Sequence, residues 1–404
     1  MSQRGQFTFE KDPSLRFKFL RRSASSGSLP TSALANSWRL PLARNAIYFA
    51  LGALGLTRED EVLVPAYICA AAVAPIRAYG AKPIFYRITK DCGADLFDLE
   101  RKIGPRSRAL LFVHYFGFPN RNIRELRNLC DLRHLLLIED CAHVLCGETT
   151  GVPLGQFGDA AVFSFRKLLP IPDGAELRLN RQVESMPITL RREAFISTLK
   201  HAVNLAEQRW PRISSATRHI SNAVRVLHQS SVQQLQQAPT QDWEVLTETD
   251  DCRFDPGLLF SPMSRLSRWI MAHTDMDAVV ERRRDNYFKL TVAVQEISGV
   301  DVLFPELPAG VCPWTLPLTF EGLSYVHKLL RERGIPAVAW DAVRPRELGG
   351  TEFHEADFLY ENLLFLPVHQ NLEPLQLDEM VSAIKNVRHL TRSRPSLAVA
   401  WSDS

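Results

Sequence analysis

Lysine is scarce in this chain of 404 residues, which contains ten lysines against 38 arginines. The pKa of a lysine falls readily when the side chain is buried, so that its amine can act as a nucleophile, whereas an arginine stays charged. A lysine that follows an apolar run is therefore notable. Lys167 is such a residue, because it comes directly after the sequence AAVFSFR.

Features that mark several other classes of protein are also missing. The seven cysteines form no CxxC pair and no zinc spacing, which favours a reduced, cytoplasmic chain and predicts no metal site. A net charge of +3 is too small to indicate a nucleic-acid partner. No apolar run approaches the length that spans a bilayer, and residues 1–30 have no apolar core, so we expect neither a transmembrane segment nor a secretory signal.

Short apolar runs alternate with helical patterns between residue 40 and about residue 180. The predicted strands lie at 61–65, 82–88, 108–116, 134–140 and 160–165, and the predicted helices at 45–54, 68–80 and 120–133. This alternation predicts an α/β fold in which a mostly parallel sheet lies between helices.

The rest of the chain is expected to be arranged around this sheet. Residues 1–35 are interpreted as a basic, flexible arm, and residues 36–260 as the large domain. The large domain would carry a helical insert at about 183–246, formed by two amphipathic helices that pack on the main body. A basic element that binds a membrane surface or a partner remains the alternative for this insert.

Residues 261–404 are predicted to contain a linking helix over about 262–297 and a smaller C-terminal α+β domain. In that domain, 313–320, 329–340 and 361–370 are typical of strands, and 375–390 is typical of an amphipathic helix.

Polar side chains lie at or just after the ends of three of the predicted strands. Asp140 ends one strand and His143 follows it, Ser164 lies near the end of another and Lys167 follows it, and His114 lies near the end of a third. Because ligands bind outside the carboxyl ends of the strands in an open parallel sheet, we expect these groups to meet at one edge. An aspartate and a lysine 27 residues apart suit a cofactor that needs an anion for a ring nitrogen and an amine for a Schiff base. Pyridoxal phosphate is such a cofactor, although an aspartate after a strand is also a common helix cap.

Six stretches of the chain, in this order, resemble the DegT/DnrJ/EryC1/StrS family of pyridoxal-phosphate-dependent aminotransferases. They are RNAIYFAL, DEVLVPAYICAAAVAPIRAYGAKPIFYRI, LLFVHYFGFP, LLLIEDCAHVLCG, GQFGDAAVFSFRKLLPIPDGA and LFLPVHQNLEPLQLDEMVSAI. The resemblance covers about 40–180 and 255–390. It implies fold type I, the aspartate aminotransferase-like fold, with a seven-stranded type of sheet in the large domain.

The resemblance also implies roles for individual residues. Lys167 would form a Schiff base with pyridoxal 5'-phosphate, Asp140 would pair with the pyridinium nitrogen, and His143 would contact the ring or its phenolic oxygen. The phosphate would be bound by Ser164 and by the start of a helix, at Arg44, Asn45 and Ala46.

Four places in the chain depart from the family pattern. The first is Ala43-Arg44, where the family has a small Gly-Thr/Ser pair that opens the phosphate loop. Cys69 occupies the place where the family has an aromatic side chain stacked on the cofactor ring. Phe260 occupies the place of an asparagine that reaches the phosphate of the other subunit. Ala175 replaces the second glycine of a PDGG motif, and a residue with a side chain tolerates fewer backbone angles than glycine.

The function implied by the resemblance is transfer of an amino group from an amino acid to a keto-sugar, typically a nucleotide-linked one, in sugar or polysaccharide biosynthesis. The enzyme would be a homodimer, and His114 and His369 are candidate substrate contacts. Two alternatives stay open. One is a catalytically degenerate fold-type-I protein with a binding or assembly role, and the other is a pyridoxal-phosphate-dependent sugar dehydratase, which Lys167 argues against because that branch has a histidine there.

Overall fold

The computed structural model describes residues 9–21, 36–181, 189–190, 252–348 and 352–393. The predicted insert at 183–246 lies outside the described residues, apart from positions 189 and 190. The part of the predicted arm that is described, residues 9–21, lies against the body of the protein, where Phe9 is buried.

A seven-stranded sheet lies at the centre of the large domain. The strands up to residue 181 are β1 (Ser37–Leu40), β2 (Glu61–Pro65), β3 (Lys82–Tyr86), β4 (Ser107–Val113), β5 (Leu136–Cys141), β6 (Glu148–Thr149), β7 (Val152–Pro153), β8 (Ala160–Ser164) and β9 (Ala175–Leu179). The spatial order is β1-β9-β8-β5-β4-β2-β3, while β6 and β7 form a separate antiparallel ribbon. Strands β2, β3, β4, β5 and β8 are parallel, and β9 runs antiparallel to both of its neighbours. The prediction of a mostly parallel α/β sheet is therefore confirmed.

Four helices flank this sheet along the chain. They are α1 (Ala43–Ala53), α2 (Ala70–Tyr79), α3 (Leu96–Lys102) and α4 (Ile123–Arg133). The central strands are buried on both faces, which explains why β2, β5 and β8 are nearly continuous apolar runs in the sequence. Helix α2 ends at Gly80, whose φ of 99° gives the left-handed conformation that closes many helices.

The predicted strand over 108–116 ends early, at Val113. The chain turns there into a 3-10 helix at Tyr115–Gly117, in which Phe116 has a φ of 57°. Further 3-10 helices lie at Phe17–Phe19, Phe165–Lys167, Pro256–Leu258 and Asp341–Val343. The turn after β4 and the turn at Phe165–Lys167 follow the two strands on either side of β5. They lie at the carboxyl ends of the parallel strands, where the sequence predicted a site.

The single long helix predicted over 262–297 is wrong. The structure has two helices, α5 (Arg265–His273) and α6 (Met276–Gln295), separated by Thr274 and Asp275. Thr274 forms a β-bridge with Leu20 of the N-terminal segment. The Asp275 side chain accepts the N–H of Ala278 and caps α6, so a second helix starts where the first one stops.

The C-terminal domain is an α+β unit, as predicted. Its antiparallel sheet has the order β10 (Val300–Val302), β11 (Thr315–Phe320) and β12 (Leu364–Pro367), and its helices are α7 (Val326–Glu332), α8 (His354–Asn362) and α9 (Pro374–Ser393). The strand predicted over 329–340 is wrong, because its first residues belong to α7 and Val338 makes an isolated bridge to Phe365. Within the described ranges, no helix is both long enough and apolar enough to cross a bilayer.

Candidate active site

A cavity of about 510 Å³ lies between the carboxyl ends of the central strands and the C-terminal domain. A volume of this size is typical of sites for small molecules. Its walls include seven of the residues singled out in the sequence: Arg44, Cys69, Asp140, His143, Ser164, Lys167 and His369. Groups that are up to 325 positions apart in the chain (from Arg44 to His369) therefore meet at one place.

Lys167 ends the short 3-10 turn that follows β8 and lies in the cavity wall. Its ammonium nitrogen Nζ lies 5.0 Å from the centre of the Trp314 ring. Burial lowers the pKa of the Lys167 amine, and the charges of Asp140 and Cys69 act in the opposite direction. A lysine with a lowered pKa is more often unprotonated, which is the form that attacks a carbonyl carbon.

Asp140, near the end of β5, is 6% exposed and contributes its carboxylate to the cavity wall. Its Oδ1 accepts the N–H of Ala142 at 2.9 Å. Burial raises the pKa of Asp140, and the positive charge of Lys167 partly offsets that rise. Burial makes the ionised form of this carboxylate less favourable, and a positive charge nearby offsets that cost. Asp140 therefore favours a cationic partner in the cavity.

His143 is fixed in one orientation and one tautomer. Its Nδ1 accepts the backbone N–H of Phe116 at 3.2 Å, and its ring is stacked on Trp314 with the ring centres 4.1 Å apart. Burial lowers the pKa of His143 well below its ordinary value. The ring is therefore neutral with its proton on Nε2, and this N–H is the group that His143 can donate to a ligand.

The turn after β4 brings the C-terminal domain onto the site. A Cβ atom at Gly117, where φ is 94°, would lie 2.5 Å from the carbonyl oxygen of Cys312. Glycine therefore permits a close approach that any other residue would prevent. The backbone N–H of Trp314 then donates to the carbonyl oxygen of Phe116 at 2.8 Å, which sets the indole against His143.

The start of α1 contributes unequally to the cavity. Arg44 lies in the wall, and its guanidinium donates to the carbonyl oxygen of Arg253. Asn45 and Ala46 are buried behind the wall, where the Asn45 side chain donates to the carbonyl oxygen of Leu258 at 2.9 Å. The hydroxyl of Ser164, at the end of β8, lies in the wall beside Lys167.

The structure places His114 behind the cavity rather than in its wall, which corrects its expected role as a substrate contact. Its side chain is fully buried and both ring nitrogens are used. Nδ1 accepts the N–H of Asn120 at 3.0 Å, so Nε2 carries the proton and donates to Glu139 at 3.0 Å. A ring held at both nitrogens has no hydrogen bond left for a substrate.

Glu139 is the centre of a buried hydrogen-bond network. Besides His114, its carboxylate accepts the backbone N–H groups of Gly155, Phe157 and Gly158 at 2.9, 2.6 and 2.5 Å. His114, Glu139 and Cys141 place possible metal-ligating atoms within 4.8 Å of one another. Since four donors already occupy the two carboxylate oxygens, the network fits a structural role that fastens the chain after β7 to the sheet.

His369 lies in the cavity wall, but its two ring nitrogens also have partners. Nε2 donates to the carbonyl oxygen of Glu10 at 3.0 Å, and Nδ1 accepts the N–H of Asn371 at 3.3 Å. Burial lowers the pKa of His369 to about 4. This histidine is thus neutral and holds the N-terminal segment, whose residues 11–13 form part of the wall.

The small domain supplies cavity residues that the sequence did not indicate. The indoles of Trp314 and Trp340 both lie in the wall, and Trp340 packs 5.0 Å from the ring of Tyr67. Thr315, at the start of β11, is 8% exposed, and its hydroxyl has no hydrogen-bond partner among the described residues. The two tryptophans in PWTLP and PAVAW were visible signals, but the strand pattern gave no reason to place them near Lys167.

Arg283 was missed for a different reason. It lies in the middle of the charged run ERRRD on α6, where a solvated helix face is the ordinary expectation. The structure buries it completely, with Nε donating to Gln370 at 2.9 Å and a terminal nitrogen donating to the carbonyl oxygen of Leu168 at 2.9 Å. This arginine therefore fixes the residue after Lys167 against the C-terminal domain.

Ala175 and Phe260 are two of the departures from the family pattern, and the structure shows the surroundings of both. Ala175 is the first residue of β9 and pairs with Leu40 and Ser164 in regular antiparallel register, so it has no need of glycine. Gly174, with a φ of 147°, keeps the conformation that does favour glycine. Phe260 is 38% exposed and packs edge-on against Phe49, with the ring centres 5.7 Å apart.

The comparison with known sequences finds similarity over part of the chain. Residues 43–174 match the model of the DegT/DnrJ/EryC1/StrS aminotransferase family. GDP-perosamine synthase of Vibrio cholerae is 40% identical over 121 residues, which are 30% of this chain and 33% of that protein. The dTDP-3-amino-3,4,6-trideoxy-alpha-D-glucose transaminase of Micromonospora megalomicea subsp. nigra is 36% identical over 122 residues, 30% of this chain and 32% of that protein. The chain thus matches about a third of the length of these relatives.

The likeness to solved structures extends over most of the chain. The aminotransferase TlmJ of Streptoalloteichus hindustanus has a TM-score of 0.63 at 21% identity, covering 88% of this chain and 87% of that one. A DegT DnrJ EryC1 StrS aminotransferase of Brucella abortus has a TM-score of 0.59 at 20% identity, covering 87% and 86%. The fold is therefore that of the fold-type-I aminotransferases, as the sequence predicted.

Proposed function

We propose, from the match of residues 43–174 to the DegT/DnrJ/EryC1/StrS aminotransferase family model, that the protein is a pyridoxal-5'-phosphate-dependent aminotransferase. It transfers an amino group from an amino-acid donor to a keto-sugar, and the names of the relatives support a nucleotide-linked sugar as the acceptor. The observation that carries this proposal is that the amine of Lys167 and the carboxylate of Asp140 share one cavity.

The groups in the cavity fit this cofactor. When bound, pyridoxal phosphate supplies an aldehyde that an amine can attack and a pyridinium ring that withdraws electrons from the substrate carbon. Lys167 offers an amine whose pKa is lowered by burial. Asp140 offers a carboxylate whose pKa is raised by burial and which would hold a proton on a ring nitrogen. The two perturbed groups complement the two ends of one aromatic aldehyde.

The remaining wall residues would orient the cofactor and the substrate. His143 would donate its Nε2–H to a phenolic oxygen, because Phe116 already occupies Nδ1. Ser164 and Arg44 would bind the phosphate. Lys167, once its amine is free, would carry a proton between a carbon of the substrate and a carbon of the cofactor as a general base and acid.

The polar and apolar groups of the small domain suit a sugar. Trp314 and Trp340 present flat faces to the cavity, and Thr315 presents a hydroxyl whose partner is missing from the described residues. Buried hydroxyls are nearly always hydrogen-bonded, so a hydroxylated ligand supplies what Thr315 lacks. The lysine at position 167, where the dehydratase branch has a histidine, favours amino transfer over the dehydratase, and its presence in one cavity with Asp140 favours turnover over a binding role alone.

Absorbance spectroscopy tests the proposal directly. Purified wild-type protein, incubated with pyridoxal phosphate and desalted, should retain a visible absorption band that shifts when an amino donor is added. Lys167→Ala should lose the retained band. Lys328→Ala is the control and should keep it, because the Lys328 amine lies 4.7 Å from the centre of the Tyr325 ring and outside the cavity wall. Absence of the band from the wild type would refute the proposal.

We also propose that the protein is a homodimer and acts in the cytoplasm. Phe260 and Trp269 are 38% and 51% exposed and lie close in sequence, as expected of a surface that a second copy covers. All seven cysteines are free thiols, which suits a reducing compartment. Analytical ultracentrifugation tests the dimer, and a monomeric wild type would refute it.

A further inference from the structure

Two thiols face each other in the cavity wall next to Lys167. The Sγ atoms of Cys69 and Cys252 lie 4.0 Å apart, and both residues line the cavity. Cys69 is the residue before α2, whereas Cys252 lies 183 positions further along the chain. A disulfide requires about 2.05 Å between the sulfur atoms, so an approach of about 2 Å would join these two parts of the wall.

We propose that Cys69 and Cys252 form a reversible disulfide when a peroxide enters the cavity. The sulfur of Cys69 attacks one oxygen of hydrogen peroxide and breaks the O–O bond, which gives a sulfenic acid and one water. The sulfur of Cys252 then attacks the sulfenic sulfur, forms the S–S bond and releases the second water. In total the two thiols lose two electrons and two protons, and the peroxide is reduced to two waters.

The surroundings of the two thiols decide the order of these steps. Cys69 is partly exposed to the cavity and reacts first, whereas Cys252 is 2% exposed and acts as the resolving thiol. The hydrogen bond to Cys252 and burial raise the pKa of Cys69, while Lys167 and the N–H of Ala71 act in the opposite direction. The reaction is therefore faster at alkaline pH, where more of the thiol is ionised.

A disulfide at this place would alter the cavity itself. Cys69 interacts with Lys167, and the bond would pull the start of α2 towards residue 252 along the same wall. We expect the cross-linked protein to take up pyridoxal phosphate more slowly than the reduced protein. This consequence rests on the proposed function, whereas the disulfide itself does not.

A second pair of thiols provides the matched control. The backbone N–H of Cys312 donates to the carbonyl oxygen of Cys146 at 3.3 Å, and neither residue lines the cavity. Cys146 is partly exposed and also donates to the carbonyl oxygen of Gly310, at 3.5 Å. Cys146→Ser removes this pair and leaves six of the seven cysteines, so that oxidation of the cavity pair can be counted without interference.

The test counts thiols and maps the bond. The Cys146→Ser protein is treated with hydrogen peroxide at alkaline pH, denatured and reacted with a thiol reagent; six thiols should fall to four, and dithiothreitol should restore them. Mass spectrometry of the alkylated, digested protein should show one peptide pair that joins Cys69 to Cys252. The double variant Cys146→Ser/Cys252→Ser should form no disulfide. Peptide mapping of the wild type gives the same information if the double variant does not fold.

Several outcomes would overturn the proposal. They are retention of all six thiols, a disulfide between other cysteines, oxidation that dithiothreitol does not reverse, or equal disulfide formation in the double variant. Uptake of pyridoxal phosphate is then measured by absorbance on the reduced and the oxidised protein. Equal uptake rates would overturn the effect on the cavity, and a reduced protein that binds no cofactor would refute the proposed function while leaving the thiol result intact.

Discussion

Glu139 and Asp140 are adjacent acidic residues of β5 whose carboxylates have opposite effects on folding stability. We predict that Glu139→Gln lowers the free energy of unfolding of the cofactor-free protein by about 2–6 kcal/mol. We predict that Asp140→Asn changes it by less than about 1 kcal/mol, or raises it. The two substitutions are chemically alike and one position apart, so each serves as the control for the other.

The magnitude for Glu139 follows from its donors. Each carboxylate oxygen accepts two hydrogen bonds: one accepts from Phe157 and Gly158, and the other from Gly155 and His114. A glutamine has one accepting oxygen, so its NH₂ group faces two donors in either orientation. Each buried donor that loses its acceptor costs about 1–3 kcal/mol, which gives about 2–6 kcal/mol for two.

His114 has no easy way to relieve this loss. A change of tautomer would let Nε2 accept from the glutamine, but Nδ1 would then carry a proton towards the N–H of Asn120. For Asp140 the situation is reversed, because burial holds its pKa above that of the unfolded chain. Its ionised form therefore destabilises the folded protein at neutral pH, and a neutral amide removes that penalty.

Guanidinium unfolding of the wild type and both variants, followed by circular dichroism at pH 7, measures the difference. A loss smaller than 1 kcal/mol for Glu139→Gln would refute the assignment of Glu139 as the structural carboxylate. A larger loss for Asp140→Asn than for Glu139→Gln would refute the assignment of both residues.

Three further predictions concern the cavity wall and the docking of the small domain. The pKa of His369 falls from about 6.5 in the unfolded chain to about 4 in the folded protein, so its contribution to stability is present above about pH 6.5 and is lost as the pH falls towards 4. His369→Asn should remove up to about 3 kcal/mol of that pH dependence in unfolding curves, and unchanged curves would contradict the assignment. In steady-state kinetics, Thr315→Val should raise the KM for the proposed sugar acceptor about fivefold without loss of stability. Thr291→Val is the control: it also removes a buried hydroxyl without a described partner, and it should leave this KM unchanged. Gly117→Ala should lower the free energy of unfolding by about 3 kcal/mol or more, because the added Cβ would collide with the Cys312 carbonyl. Gly151→Ala should lower it by only about 1–2 kcal/mol, because its φ is 76° but an added Cβ meets no atom within 4 Å. Equal losses would refute the close approach at Gly117.

Local patterns were sufficient for the sheet and for the groups that follow its strands. The strand over 61–65 was predicted with its observed bounds, and Asp140 and Lys167 came to one cavity because parallel strands end at one edge. Each of these inferences needs only a few consecutive residues and a general rule of topology. The same is true of Ser164, which lies at the end of β8.

The errors and omissions arose where distant contacts decide the structure. The break between α5 and α6 depends on the pairing of Thr274 with Leu20, which are 254 positions apart. The role of His114 depends on one donor, the N–H of Asn120, and one acceptor, the Glu139 carboxylate, which the strand pattern does not show. The burial of Arg283 depends on the C-terminal domain that packs over α6, whereas its neighbours in sequence indicate an exposed helix face.

The cavity wall draws on a part of the chain that matches the family model and on parts that do not. The amine and the carboxylate come from residues 43–174, the part that matches the family. The roof comes from residues 11–13 and from Trp314, Thr315 and Trp340, all of which lie outside that match. On the proposed function, the chemistry and the selectivity for the acceptor are therefore encoded in different stretches of the chain, and we expect exchange of the roof residues to change the acceptor and leave the reaction unchanged.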